Sequence, residues 1–337
     1  MNQRTHAWLA VEAYRKIKIA AKDDKSLDGL RQLLGEHLGD VVVAAWLPDS
    51  LIKDMAYGHV FKNSAYAGDQ KPRFTLSAAD LKKTLPAGAK IPSVAFPLVP
   101  DKWWKQPYRV KDNGGHLPAR VNALCQTARD MLNMGDDDVL ALSGAKRKKG
   151  AADIAAAFRY SPRDVAMMLW MLSHYVADGH MPFHSDNRTV ASTSANSNTH
   201  GAMEDLWGEQ VPPFFARERI LRSDEQAILE ASYPVGSKLA DIPFGDGVPT
   251  LKGGDPWKAA VYICRAGFAA SFAIVPESTA PVDSGKDVPL KDIRSDGRGI
   301  CGEARFWDIS RAVMHDAANA IAMFWIDIWA DHRKTAD

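Results

Sequence analysis

Cysteine is scarce in this chain. Three residues in 337, Cys125, Cys264 and Cys301, stand far apart. An odd, scattered set builds neither a disulfide framework nor a thiolate metal site. Any metal held here must therefore be held by imidazole and carboxylate. Long apolar runs are missing too: none approaches the ~20 residues that span a bilayer. The nearest, AANAIAMFWIDIWAD, is broken by Asn319 and Asp327. The opening MNQRTHAWLAVEAYRK has neither the apolar core nor the small-residue cleavage site of a signal peptide. The expectation is a cytoplasmic protein, one exported by a non-classical route, or one whose leader was removed. No charge sign dominates: the net charge is +1, so binding to nucleic acid or an anionic membrane must be local.

Strand-like alternation is also rare, whereas helical spacing of apolar residues recurs. It appears in THAWLAVEAYRKIKIAAK, in LDGLRQLLGEHLGDVVVAAWL, in RVNALCQTARDMLNM and in the closing DISRAVMHDAANAIAMFWIDIWAD. In SPRDVAMMLWMLSHYVAD, Ser161 is placed as a cap, Pro162 takes the first helical position, and Val165, Leu169, Leu172 and Val176 form one stripe. With 46% hydrophobic and 25% charged residues, the pattern predicts an ordinary globular, all-α protein. No repeat or linker divides it. The expected organisation is one helical domain over residues 1–337, decorated by Pro/Gly-rich insertions at roughly 62–155 and 232–256.

The chemistry concentrates in HYVADGHMPFH. On a helix, residues four apart share a face, so His174 and Asp178 point the same way. Pro182 should end that helix, leaving His184 on the turn beyond. In SNTHGAMEDLWGEQV, His200 and Glu204 repeat the four-residue spacing behind a cap at Ser197 or Asn198. A single His-xxx-carboxylate pair is more often a surface pair or a satisfied core histidine. Two pairs with a histidine between them can build a nitrogen–oxygen zinc site.

These pieces, with a histidine near the chain start and an aspartate and histidine between, resemble the trinuclear-zinc phosphoesterases. That superfamily contains the bacterial zinc-dependent phospholipases C and the single-strand nucleases and 3′-nucleotidases. Its pattern falls on Met1, His6, Asp49, His59, His174, Asp178, His184, His200 and Glu204, in order. Asp54 rivals Asp49 for its place. The closing helix is similar as well, so the resemblance spans nearly the whole chain. The chain departs from the pattern at Met1, where exported members begin with tryptophan, and at Met181, where glutamine is usual. His37, His116, His315 and His332 fall outside it.

The resemblance implies three zinc ions per chain. Asp49, His59, His174 and Asp178 would hold one. His184, His200 and Glu204 would hold a second. Met1, through its amine and carbonyl, would hold the third with His6 and a bridging Asp178. It implies hydrolysis of a phosphoric diester by hydroxide generated at zinc, with Asp49 orienting or deprotonating the attacking water. Glu204 matches the phospholipases, which release diacylglycerol and a phosphorylated head group; the nucleases usually carry aspartate there. His180, by contrast, is found in many plant-type nucleases, and is expected beside the metals, against substrate or as a solvated turn residue. Phe183, Trp103, Trp104 and Tyr108 are expected as platforms for bases or as a lipid-facing rim, unless they only pack loops. The basic run Lys146–Lys149 is a solvated loop or an anion contact. Phospholipid is the first expectation for substrate, with peripheral membrane contact, and single-stranded nucleic acid the second. An inactive metal-binding homologue is the third reading. No obligate protein partner is implied.

Overall fold

Asn2 starts the first helix. Its side chain accepts from the backbone N–H of Thr5 at 3.1 Å and caps α1, Gln3–Asp23. Ala7, Trp8, Leu9, Ala10 and Val11 are all fully buried in succession, so α1 is enclosed on every side. In the computed structural model the described residues are 1–54, 56–61, 117–134, 160–186, 198–216, 225–245, 247–251, 254–274 and 302–336. They are all-α: a largely helical domain with long connections and no sheet. After α1 come α2 (Asp28–Glu36), the short α3 (Val41–Ala44), α4 (Leu117–Asn133), α5 (Pro162–His180), α6 (Asn198–Gln210), the short α7 (Glu225–Leu229), α8 (Pro256–Ile274) and α9 (Glu303–Ala336). No helix among them is long and apolar enough to cross a membrane.

α5 is the helix that matters most for the site, and both of its ends were legible. Ser161 and Asp164 form a reciprocal capping box around Pro162. At the other end Pro182 disfavours helical backbone at Met181, which is extended at φ −65°, ψ 115°. The chain then makes a single tight turn, Pro182–His184. This end lies against α8 at very short range. A Cβ on Gly179 would sit 2.7 Å from Ile263 Cγ2, and one on Gly267 would sit 2.7 Å from the Gly179 carbonyl. Glycine at both positions lets α8 back the turn directly. From the far side, Trp325 on α9 donates to the Leu169 carbonyl at 3.0 Å, with its ring edge-on to Trp170.

Parts of the two expected insertion ranges belong to the described residues. Within 62–155, α4 is a core helix: Leu117, Val121, Cys125 and Ala128 are fully buried against α5, α8 and α9. Within 232–256, the described stretch is bound to the body. Leu239 and Ile242 are buried, and Trp8 donates to the Tyr233 hydroxyl at 2.9 Å. The Lys16 ammonium, buried in α1, donates to the carbonyls of Phe244 and Gly245. Its four-carbon stem lies in the core, while its head satisfies carbonyls that form no helix.

Candidate metal centre

Six separate pieces of chain meet at the C-terminal end of α5. The chain start brings the Met1 amine, and α1 brings His6 one turn later. α3 runs into a wider, π-helical turn, Pro48–Ile52, which carries Asp49. That turn closes at Lys53, whose φ of 50° makes it the only non-glycine residue with positive φ among those described. A short turn, Ala56–His59, brings His59. α5 supplies His174 and Asp178, the turn beyond it His184, and α6 His200 and Glu204.

Asp178 lies at the centre. Its Oδ1 is 3.1 Å from the Met1 amine, 3.4 Å from His6 Nε2 and 3.4 Å from His184 Nδ1. Its Oδ2 is 2.9 Å from His59 Nδ1 and 3.2 Å from His174 Nε2. Glu204 Oε1 is 2.8 Å from the amine, 2.8 Å from His200 Nε2 and 3.4 Å from His184 Nε2. Asp49 Oδ1 faces His59 Nε2 at 3.6 Å and His174 Nε2 at 3.8 Å. The nine positions named by the resemblance thus come together. Three compact groups of donor atoms result: His6, Asp49 and His174; His59, His174 and Asp178; and His184, His200 and Glu204. The first differs from the expected sorting, because His6 stacks flat on His174, with ring centroids 3.9 Å apart, and so reaches Asp49 as well as Asp178.

Asp54 is not part of this convergence. Its Oδ1 accepts from Arg120 at 2.6 Å and its Oδ2 from the Tyr175 hydroxyl at 2.8 Å. Between the two rival aspartates, it is Asp49 that faces the histidines.

The electrostatics follow from burial against dense opposite charge. Burial favours the neutral amine at Met1, but Asp178 and Glu204 outweigh it and raise the amine to about 10. Burial likewise works against ionised Asp178, yet the amine and His184 hold its pKa well below the ordinary carboxylate value. Glu204 is held down in the same way by the amine, His184 and His200. Burial, reinforced by the neighbouring His174, pushes His6 well down, and burial pushes His184 down to about 4. Both imidazoles are therefore neutral at pH 7, the form that binds metal. Asp49, nearer the surface, has its pKa raised by partial burial and by Asp178.

No family model matches the chain, and no curated protein or solved structure matches it. The fit of a metal to these residues is therefore judged on the residues themselves. Among the described residues, the buried side-chain atoms that lack a hydrogen bond include five ring nitrogens of this cluster: both of His6, His59 Nε2, His184 Nδ1 and His200 Nε2. His200 Nε2 lies 2.8 Å from Glu204 Oε1. Buried polar groups are normally paired. Five imidazole nitrogens that make no hydrogen bond, gathered around carboxylates, are a donor set suited to cations. A nitrogen–oxygen set without thiolate suits zinc and its neighbours in the first transition row. The clustered residues can hold metal ions, as in a metal-dependent enzyme.

The proposed substrate contacts fare differently. Phe183 is fully buried in the apolar core. His180 is 1% exposed, with Nδ1 on the Val176 carbonyl at 2.8 Å and Nε2 on Asp316 of α9 at 3.0 Å. Both side chains are buried, and His180 ties the end of α5 to α9. Met181 is core. Trp103, Trp104, Tyr108 and Lys146–Lys149 lie outside the described residues. The sequence reading missed Trp46. Its half-buried ring tilts against His6 and His174 at 5.8 and 5.9 Å between centroids. The available signal was spacing: Trp46 precedes Asp49 by one helical turn.

Proposed function

We propose that this protein is a zinc-dependent phosphoric diester hydrolase, and that its substrate is a phospholipid, cleaved to diacylglycerol and a phosphorylated head group. The observation that carries the reading is Asp178 surrounded by an amine and four imidazoles, in a cluster where five ring nitrogens make no hydrogen bond. Met1, His6, Asp49, His59, His174, Asp178, His184, His200 and Glu204 would hold three ions, with Asp178 shared. Zinc bound there would supply positive charge for phosphoryl oxygens and bring the pKa of water down to about 7. Asp49 sits at the exposed edge, with its proton affinity raised by partial burial and Asp178. In this reading it would orient water and accept its proton. Neutral His6 and His184 keep their nitrogens available for metal, and buried Asp178 fixes the spacing between neighbouring donors.

Two features favour lipid. Glu204 occupies the carboxylate position as in the phospholipases the sequence resembles. The turn carrying Asp49 also ends in Leu51 and Ile52, which are 77% and 52% exposed. Val43, a few residues earlier in the chain, is exposed too, and exposed apolar side chains so close in sequence to Asp49 would suit contact with aggregated lipid. The second reading, a single-strand nuclease, draws on Trp46, an aromatic face beside the cluster on which a base can stack. Hydrolysis assays on short-chain phosphatidylcholine, single-stranded DNA and a 3′-nucleotide, with and without chelator, separate the readings. Diacylglycerol formation that chelator abolishes supports the first. DNA cleavage to 5′-nucleotides with no lipid turnover selects the second. Bound zinc with no turnover on any of the three leaves a binding protein.

A further inference from the structure

His59 is held unlike its neighbour. A metal-binding imidazole usually presents one nitrogen to the ion and has the other fixed by an outer acceptor. His174 follows that pattern: its Nε2 faces the cluster and its Nδ1 is 2.8 Å from the Ala45 carbonyl. His59 does not. Its Nδ1 faces Asp178 at 2.9 Å and His174 Nε2 at 3.1 Å, and its Nε2 faces Asp49. Both nitrogens point into the cluster, so no outer carboxylate or carbonyl is left to set the ring plane from behind. What lies behind is Tyr175, stacked on the His59 ring at 5.1 Å between centroids and 28° between planes. Tyr175 is 3% exposed, and its hydroxyl is tethered to Asp54 at 2.8 Å. Asp54 is in turn fixed by Arg120 of α4. The backbone of the His59 turn runs hard against the same carboxylate: a Cβ on Gly58 would lie 2.6 Å from Asp54 Oδ2.

We infer that Tyr175 is a positioning residue for His59, using a stacked ring tethered through Asp54 and Arg120 to do what the Ala45 carbonyl does for His174 by hydrogen bond. The inference rests on the metal-centre reading and extends it outward. It assigns Asp54 a structural task behind the ligands. It also explains why an aromatic residue directly follows the metal-facing His174 on α5: position 175 points about 100° around the helix from 174, toward the incoming turn.

The test measures metal binding, not turnover. Full-length wild type, Tyr175→Phe and Tyr175→Leu are loaded with Co(II), checked for helix content by circular dichroism, and compared by visible absorption and by competition with a chelator. Tyr175→Leu removes the ring face. It should lower the affinity of one ion by about 10–100-fold, the usual cost of losing an outer support, and alter its absorption bands. Tyr175→Phe keeps the face and loses only the tether, and should recover most of the affinity. A merely structural role would change the stability of the folded state and leave the bands of the folded, loaded protein as they are. If Tyr175→Leu does not fold, Tyr175→Met replaces it, since the flexible thioether chain fills the space without a ring face. Bands and affinity equal to wild type in the folded variant overturn the inference while leaving the metal centre intact. Wild type that takes up no Co(II) overturns the metal centre and the inference together.

Discussion

The amine of Met1 lies 3.1 Å from Asp178 Oδ1, across 177 positions of chain. The first atom of the described chain is thus packed against the last turn of α5 and, at 2.8 Å, against Glu204 on α6. Both carboxylates hold the amine protonated to about 10, so a metal that takes this position must displace a proton.

Blocking that amine should therefore remove one ion. N-terminal acetylation, or a short N-terminal extension of this chain, should lower zinc content from three to two per chain and remove most of the hydrolytic activity. A C-terminal tag should change neither. Zinc analysis of the two tagged proteins decides it; three zincs and normal turnover in the extended chain would mean that the third ion is not held by Met1.

The carboxylates can be ranked. Asp178→Asn should reduce activity by more than about 100-fold, beyond the range usual for outer residues, because Asp178 touches the amine and four histidines. His180→Ala should keep activity within about 10-fold. Its cost should appear in stability, about 1–3 kcal/mol, as the Asp316 hydrogen bond is lost at a buried position. Asp49→Asn should cost more activity than Asp54→Asn. The same phosphodiester assay on all four variants, alongside their unfolding midpoints, tests the order; equal activities for Asp178→Asn and His180→Ala would contradict it.

Metal-free protein should lose stability as the pH falls from about 6.5 toward 4. His184, held to about 4 chiefly by burial, and His6, held well down by burial and His174, stay neutral in the fold. In the unfolded chain both protonate near 6.5. The unfolded state then binds more protons, so stability rises with pH across this window. His184 alone accounts for about 2 kcal/mol between pH 7 and 5. His59 opposes this. Burial disfavours its charge, but Asp178 raises its pKa overall, so its contribution is present below 6.5 and is lost as pH rises through the folded value. His315, also lowered chiefly by burial, adds to His6 and His184, while Asp49 and Glu12, raised chiefly by burial, oppose them with His59; the large downward shifts of His6 and His184 set the net sign. Asp178 and Glu204, with depressed values, give up their stabilisation only below the ordinary carboxylate range. Urea unfolding in chelator at pH 7, 6 and 5 measures the slope; a flat or inverted profile refutes it.

Leu51 and Ile52 should matter for aggregated substrate alone. Leu51→Gln with Ile52→Gln should cut hydrolysis of phosphatidylcholine vesicles by about 10-fold, as two exposed apolar side chains stop entering the lipid. Hydrolysis of the same lipid with chains short enough to stay monomeric should be unchanged, since neither residue belongs to the metal cluster. Equal losses on both forms would place the effect in the site and not at the surface.

The sequence by itself determined the helical class, both ends of α5 and the pairings His174–Asp178 and His200–Glu204. All of these follow from local rules: periodicity, a capping box, a proline, and the fact that residues four apart share a face. It also carried the order of ligand-type residues along the chain. It did not separate Asp49 from Asp54, because both follow the same short helical segment and differ only in what lies opposite. The tertiary structure decided that by placing Arg120 and Tyr175 against Asp54 and two histidines against Asp49. It likewise turned His180 to Asp316, buried Phe183 in the core and set Trp46 beside the cluster. Those outcomes depend on which way each side chain faces once α1, α4, α8 and α9 have packed, and that direction is fixed by contacts between residues a hundred or more positions apart.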